Sequence, residues 1–244
     1  MTIRPDVFRV HGWVVSAMST RRGGVSAPPL GMNLSLNVGD DPRNVHSNRE
    51  LFFGTLGIRA EELAIPGQVH SDTVRRVDVP GVYPETDALV TDVRRLFLCV
   101  TVADCVPILL FDPVRRVVAA IHAGWRGTAG TIAARAVRLM MDDFGVDPAN
   151  LLGFIGPSAD TCCYEVGPDV ASRFPERFVS DREGSLRVDL KSANLSQLID
   201  LGVPPENIET SSLCTISEET LLHSYRRDGV ASGRMMAVIG LAAD

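Results

Sequence analysis

Four short apolar runs crowd the middle of the chain: Ala88 to Val90, Leu96 to Val102, Val106 to Phe111 and Val117 to Ile121, rich in β-branched residues and divided by charged pairs. Runs so short and so continuous suit strands buried on both faces, since a one-sided strand alternates and a core helix needs more length. Asp112-Pro113-Val114-Arg115-Arg116 reads as the hairpin connection between two of them. Just downstream, Ile132, Ala136, Leu139, Met140 and Phe144 recur at helical spacing, with Thr128 as the expected N-cap and Gly145 as the stop. Helices are also expected over Asn44 to Gly57, Pro168 to Phe174 and Ser192 to Leu201. Strands are expected within Phe8 to Met18 and at Leu34 to Val38, Leu151 to Ile155 and Met235 to Leu241. Strands and helices intermix throughout, which gives an α+β class. No window repeats and no linker-like tract divides the chain, so residues 1–244 are expected to form one domain.

Charge and composition narrow the function. The net charge of −6 repels nucleic acid and anionic membrane surfaces, so neither is expected as a partner. Asp104 and Pro107 interrupt the longest apolar stretch, which rules it out as a membrane span. Met1 to Met18 carries Asp6 and lacks the apolar run of a secretory leader, which points to the cytoplasm. Five cysteines, Cys99, Cys105, Cys162, Cys163 and Cys214, are then expected as thiols or metal ligands rather than disulfides. Lys191 is the single lysine; it falls in a polar stretch and is expected to be exposed, and Schiff-base chemistry would hang on it alone. No GxxxxGK[ST] or GxGxxG element supports a nucleoside triphosphate or dinucleotide cofactor.

Three residues carry candidate chemistry. His70 in Gln68-Val69-His70, Cys105 in Ala103-Asp104-Cys105-Val106-Pro107 and His122 in His122-Ala123-Gly124-Trp125-Arg126-Gly127-Thr128 each fall at or near the end of an expected strand. Two imidazoles and a thiol that met there would suit zinc and leave one coordination position open, as catalytic zinc requires. Read singly, each histidine is as well a structural residue, and Cys105 an inert buried thiol. Asp104 interrupts an apolar segment, and a buried carboxylate is costly unless it pairs or moves a proton. The glycines after His122, the helix start expected at Thr128 and the fork of Arg126 together suggest an oxyanion site. Cys162 or Cys163 would, as a fourth ligand, turn the zinc site structural. Tyr225-Arg226-Arg227 reads as a solvated turn with one arginine turned inward, and His11, His46 and His223 as structural or surface residues.

These segments, with Arg21-Arg22-Gly23-Gly24-Val25-Ser26, Leu34-Ser35-Leu36-Asn37-Val38-Gly39, Asn48-Arg49, Thr86-Asp87-Ala88-Leu89-Val90-Thr91 and Cys163-Tyr164-Glu165-Val166-Gly167, resemble the YfiH-like family over nearly the whole chain. Its members are also labelled laccase-domain or multicopper polyphenol oxidase proteins, peptidoglycan editing factors and purine nucleoside phosphorylases. The resemblance implies a sandwich-like mixed-sheet core flanked by helices, related to cysteine hydrolases of the deamidating-toxin type. It places zinc on His70, Cys105 and His122, and substrate contacts on Arg126, Gln68, Asn37 and Arg22. The implied activities are phosphorolysis of adenosine, inosine and methylthioadenosine, and deamination of adenosine, by a monomer or weak homo-oligomer. The sequence departs from the family pattern at Ser71, Ser158-Ala159-Asp160 and His223.

Within that reading Asp104 is the expected proton shuttle and Arg126 the phosphate contact. Copper phenol oxidation is disfavoured, because a multicopper centre consumes more than the five histidines present and no His-x-His pair occurs. A cysteine hydrolase, or an enzyme editing a peptidoglycan precursor, would instead use Cys105 as nucleophile and His122 as its base. A structural zinc clip in an interaction module would require a fourth protein ligand.

Overall fold

The structure is a computed structural model and describes residues 2–243. Two six-stranded sheets pack face to face. The first runs in the order β1 (Thr2–Ile3), β2 (Val14–Ser19), β14 (Met235–Leu241), β7 (Phe97–Val102), β3 (Leu63–Pro66), β5 (Gly81–Tyr83). The second runs β13 (Ile208–Thr210), β10 (Leu152–Ile155), β8 (Val106–Asp112), β9 (Val117–Ala123), β6 (Ala88–Thr91), β4 (Val74–Arg76). A small hairpin, β11 (Val179–Arg182) with β12 (Ser185–Val188), stands apart. Helices α1 (Pro42–Gly54), α2 (Trp125–Ala129), α3 (Ile132–Phe144), α4 (Pro168–Ala171), α5 (Leu190–Ile199) and α6 (Tyr225–Asp228) complete the fold. This is the expected α+β sandwich.

Alternation along the strands builds the layers. On β7, Leu98, Val100 and Val102 face the second sheet and meet Leu109, Phe111, Val118 and Ala120, while Phe97 and Cys99 face outward against Phe52 and Phe53 of α1. On β8 and β9, Ile108, Leu110, Ala119 and Ile121 face the other way, onto Ile132, Ala133, Ala136, Val137 and Met140 of α3. Both faces of these strands are therefore buried, as their unbroken apolar runs predict. Each fully buried aliphatic side chain contributes about 1.5–3 kcal/mol, which makes the β8–β9 hairpin a rigid base for whatever its ends carry.

Local chemistry sets the helix ends. Gly145 closes α3 in the left-handed region at φ 64°, and Val146 N–H returns to Met140 O at 3.2 Å. The start of α3 corrects the sequence expectation. Thr128 lies inside the short α2, its hydroxyl accepting from Asn194 Nδ2 at 3.0 Å, and the chain breaks at Gly130 and Thr131 (φ 62°) before α3 begins. Thr128 therefore caps nothing: buried Asn194 and half-buried Gln197 claim its polar groups for holding α5 against α2. Leu34 to Val38 is likewise not a strand, because Asn33 bonds Ser35 N–H and Ser35 O and folds the segment into a turn. The helix expected over Pro168 to Phe174 stops at Ala171, and the one expected from Asn44 starts two residues earlier, capped by Asp41.

Candidate active site

His122 near the end of β9 and Cys105 just before β8 are neighbours across the hairpin, whose register pairs His122 with Pro107 and Ala123 with Val106. His70 arrives on the loop after β3. The ligating atoms of His70, Cys105 and His122 all lie within 4.8 Å of one another, with the two imidazoles edge to face, their centroids 4.9 Å apart. The structure thus brings together the three residues singled out in the sequence. Gly124 permits the approach: a Cβ there would lie 3.1 Å from both Cys105 Sγ and His70 Cδ2.

One carboxylate organises the cluster. Fully buried Asp87 accepts from His122 Nδ1 at 2.8 Å, from Ser71 N–H and Oγ at 2.7 Å each, and from the N–H groups of His70 (3.1 Å) and Val69 (3.2 Å). With Nδ1 of His122 committed to Asp87, Nε2 is left as the ligating or reacting nitrogen. Burial opposes ionisation of Asp87, but His122 and Ser71 hold its carboxyl below the usual range. Sequence reasoning gave this residue no role. The available signal was an aspartate placed immediately before the buried apolar run that starts at Ala88.

Electrostatics couple the sulfur and the ring. Without metal, burial alone would push the Cys105 thiol up, yet His122 and His70 bring it down to about 6. Burial alone would push His122 down, yet Cys105 and Asp87 raise it to about 9. Each group thus favours the charged form of the other, biasing the pair toward thiolate and imidazolium. Backbone strain concentrates here too: Gln68 (φ 49°), His70 (φ 60°) and Asp104 (φ 89°) occupy the left-handed region, at roughly 1–3 kcal/mol each.

A cleft of about 650 Å³ opens over the cluster, walled by Asn37, Gln68, Tyr164 and Tyr225 and by the arginines Arg49, Arg226 and Arg234. Asn37 stands at the exposed rim. Gln68 lines the cleft, but its amide is engaged with Thr101, donating to the carbonyl at 2.7 Å and accepting from N–H and Oγ1. Asp104 lies beside Cys105 in the wall, its Oδ1 accepting from Thr215 Oγ1 at 2.7 Å and its Oδ2 from Arg226 N–H at 2.6 Å.

Two expected substrate residues fall elsewhere. Arg126 is exposed, its guanidinium 4.3 Å from the centroid of the Trp125 ring and outside the cleft wall. Arg22 is exposed and bonded to Thr220 O and Oγ1. Positive charge in the cleft comes instead from Arg226, over the Tyr164 ring, and from half-buried Arg49 and Arg234. Arg227 is the arginine of that turn facing inward, onto the carbonyls of Thr215, Ile216 and Leu222. Burial pulls Arg49 and Arg234 below the usual guanidinium range; their guanidinium groups donate to backbone carbonyls, and Asp104 acts on Arg234 only at a distance. Lys191 also corrects the sequence reading: it is buried and paired with Asp160 at 2.7 Å rather than exposed. Cys162 and Cys163 cluster with Cys214 and not with Cys105.

The donor set fits zinc. It offers two imidazoles, one of them backed by a carboxylate, and a sulfur already biased to thiolate, with no fourth protein ligand among the described His, Cys, Asp and Glu side chains. The other histidines lie elsewhere: His11 packs on Trp13 and Phe111, His46 is exposed on α1, and His223 is fully buried beside Gly233.

A two-sheet sandwich with a His–Cys–His cluster at its strand ends and an arginine-walled cleft defines a protein of the laccase-domain type. Residues 15–242 match the family described as multi-copper polyphenol oxidoreductase laccase, and the chain belongs to that family. It is 42% identical to a purine nucleoside phosphorylase of Deinococcus radiodurans, over 93% of this chain and 89% of the relative. It is 36% identical to adenosine deaminase RL5 of an unknown prokaryotic organism, over 90% and 91% of the two chains. The crystal structure of YlmD from Geobacillus stearothermophilus superposes with a TM-score of 0.92 at 34% identity, covering 98% of this chain and 94% of that one.

Proposed function

We propose that this chain is a zinc-dependent purine nucleoside enzyme that phosphorolyses adenosine, inosine and methylthioadenosine and deaminates adenosine. The names of the relatives support the purine nucleoside class. The observation that carries the reading is a His–Cys–His donor set, braced by Asp87, in a cleft whose two half-buried arginines donate to backbone carbonyls.

His70, Cys105 and His122 would hold the zinc, which when bound supplies a Lewis acid with a position open to water or substrate. Tyr164 and Tyr225 offer flat faces for a purine, and Asn37 polar groups at the rim. Arg49, Arg226 and Arg234 hold phosphate against the ribose: an anion returns to the half-buried guanidinium groups the stabilisation that burial removes. Asp104, fixed by Thr215 and the Arg226 amide, is placed to carry a proton at the base during deamination or glycosidic cleavage. Five free cysteines suit work in the cytoplasm. Incubation with adenosine and phosphate should yield ribose 1-phosphate with adenine or hypoxanthine; absence of turnover with every purine nucleoside would overturn the reading.

One observation favours a second reading. Cys105, His122 and Asp87 stand in nucleophile, base and orienting order, as a cysteine hydrolase acting on an amide or a peptidoglycan precursor requires. One sulfur cannot serve metal and acyl group at once. Chelator inhibition reversed by zinc supports the metal enzyme, whereas inactivation by alkylating Cys105 in the zinc-loaded protein supports the hydrolase.

A further inference from the structure

Cys162, Cys163 and Cys214 take no part in the chemistry proposed for the cleft. The first two lie on the turn beyond β10 and the third on the loop beyond β13, yet their three sulfurs lie within 4.8 Å of one another. The fold builds this approach. Ser158 and Cys214 form a parallel bridge, and Thr215 N–H donates to Ser158 O at 3.0 Å. Buried Lys191 ties both loops: its Nζ donates to Asp160 Oδ2 at 2.7 Å, to Ser211 O at 2.9 Å and to Leu213 O at 3.0 Å. The Asp160 carbonyl in turn accepts from the N–H groups of Cys163 and Tyr164, which fixes the vicinal pair.

Three thiols gathered this way gain little from one another, because S–H is a weak donor and sulfur a weak acceptor. A thiophilic cation gives the arrangement a purpose. Tetrahedral zinc at about 2.3 Å from each sulfur sets the sulfurs about 3.8 Å apart, a contraction of roughly 1 Å at most, within reach of side-chain rotation. Exposed Cys162 leaves the fourth position to water.

We propose that Cys162, Cys163 and Cys214 form a second metal site, a three-thiolate pocket for a thiophilic divalent ion such as zinc, separate from His70, Cys105 and His122. The pocket lies directly behind the cleft. Cys163 precedes Tyr164 in the cleft wall, and Cys214 precedes Thr215, which holds Asp104.

The test uses the reduced full-length chain carrying Cys105→Ser, which leaves the first site without sulfur. This variant should still take up one equivalent of zinc. Cobalt put in its place should show strong sulfur-to-metal charge-transfer absorption, and zinc should protect the three thiols from a thiol reagent until a chelator is added. Adding Cys162→Ser and Cys214→Ser should abolish the absorption. Adding exposed Cys162→Ser alone, which spares the interior, should weaken zinc binding at least tenfold. The proposal is overturned if the Cys105→Ser chain keeps no zinc against a moderate chelator, if its cobalt absorption survives loss of Cys162 and Cys214, or if two of the three sulfurs form a disulfide with zinc present under reducing conditions.

Discussion

Replacing Asp87 by asparagine tests the organisation of the active site with almost no change of shape. In the parent, Oδ1 serves His122 and the His70 amide, and Oδ2 serves Ser71 twice and Val69. Asparagine keeps one oxygen. If that oxygen faces Ser71, the amino group faces the donors of His122 and the His70 amide, and His122 must move its proton to Nε2, the nitrogen a metal needs. If the oxygen faces His122, the amino group faces the N–H groups of Ser71 and Val69, each left unpaired at roughly 1–3 kcal/mol. Loss of such a supporting partner lowers metal affinity about 10–100-fold, or roughly 1.4–2.7 kcal/mol. With about 2–6 kcal/mol lost from the fold, the melting temperature should drop by roughly 4–24 °C. Competition with a chromophoric chelator measures the first effect and calorimetry of the metal-free protein the second. Zinc affinity within about threefold of the parent, together with a melting temperature within about 2 °C, would refute the assignment of Asp87 as the positioning residue.

Three further outcomes are expected. In the metal-free chain, iodoacetamide should alkylate Cys105 with a half-point near pH 6 rather than 9.0. His122, raised from 6.5 to about 9, adds stability complete below 6.5 and lost as pH climbs through 9, whereas Cys105 adds stability complete above 9.0 and lost as pH falls through 6. The two trends oppose each other between 6.5 and 9, so a melting temperature that changed steeply across that window would contradict the ion pair. Arg226→Ala should raise KM for phosphate roughly 10–100-fold, the worth of one charge-assisted hydrogen bond, and Arg126→Ala less than threefold; steady-state kinetics showing the reverse order would return the phosphate to Arg126. Gly124→Ala should cost roughly 1–3 kcal/mol of zinc affinity through its contacts with Cys105 and His70 while circular dichroism stays unchanged, and unaltered zinc binding would show that the cluster yields to the extra methyl.

What could be read from the sequence followed from local chemistry. The strands at 88–91, 97–102, 106–112 and 117–123 were legible because burial on both faces leaves an unbroken apolar run, and Gly145 announced the end of α3. Cys105 and His122 were legible because each stands beside a turn at the end of such a run, and His70 because it follows the turn residues Pro66 and Gly67. Partners set by tertiary contact were not. Thr128 has the chemistry of a cap, but Asn194, 66 positions away, decides what its hydroxyl does. Lys191 sits among polar residues and is buried because Asp160 and two carbonyls of another loop receive its protons. The arginine fork beside His122 suggested the anion site, but Arg126 turns onto Trp125 and leaves the cleft to arginines from two distant segments, Arg49 on α1 and Arg226 with Arg234 just before β14.

Strand β14 lies in the interior of the first sheet, hydrogen-bonded to β2 on one side and β7 on the other. During synthesis the partners on both its flanks emerge from the ribosome long before it does, at roughly 5–20 residues per second. Until then each presents an unpaired edge, and a nascent chain already able to close the β8–β9 hairpin cannot complete the opposite sheet before residues 235–241 have emerged.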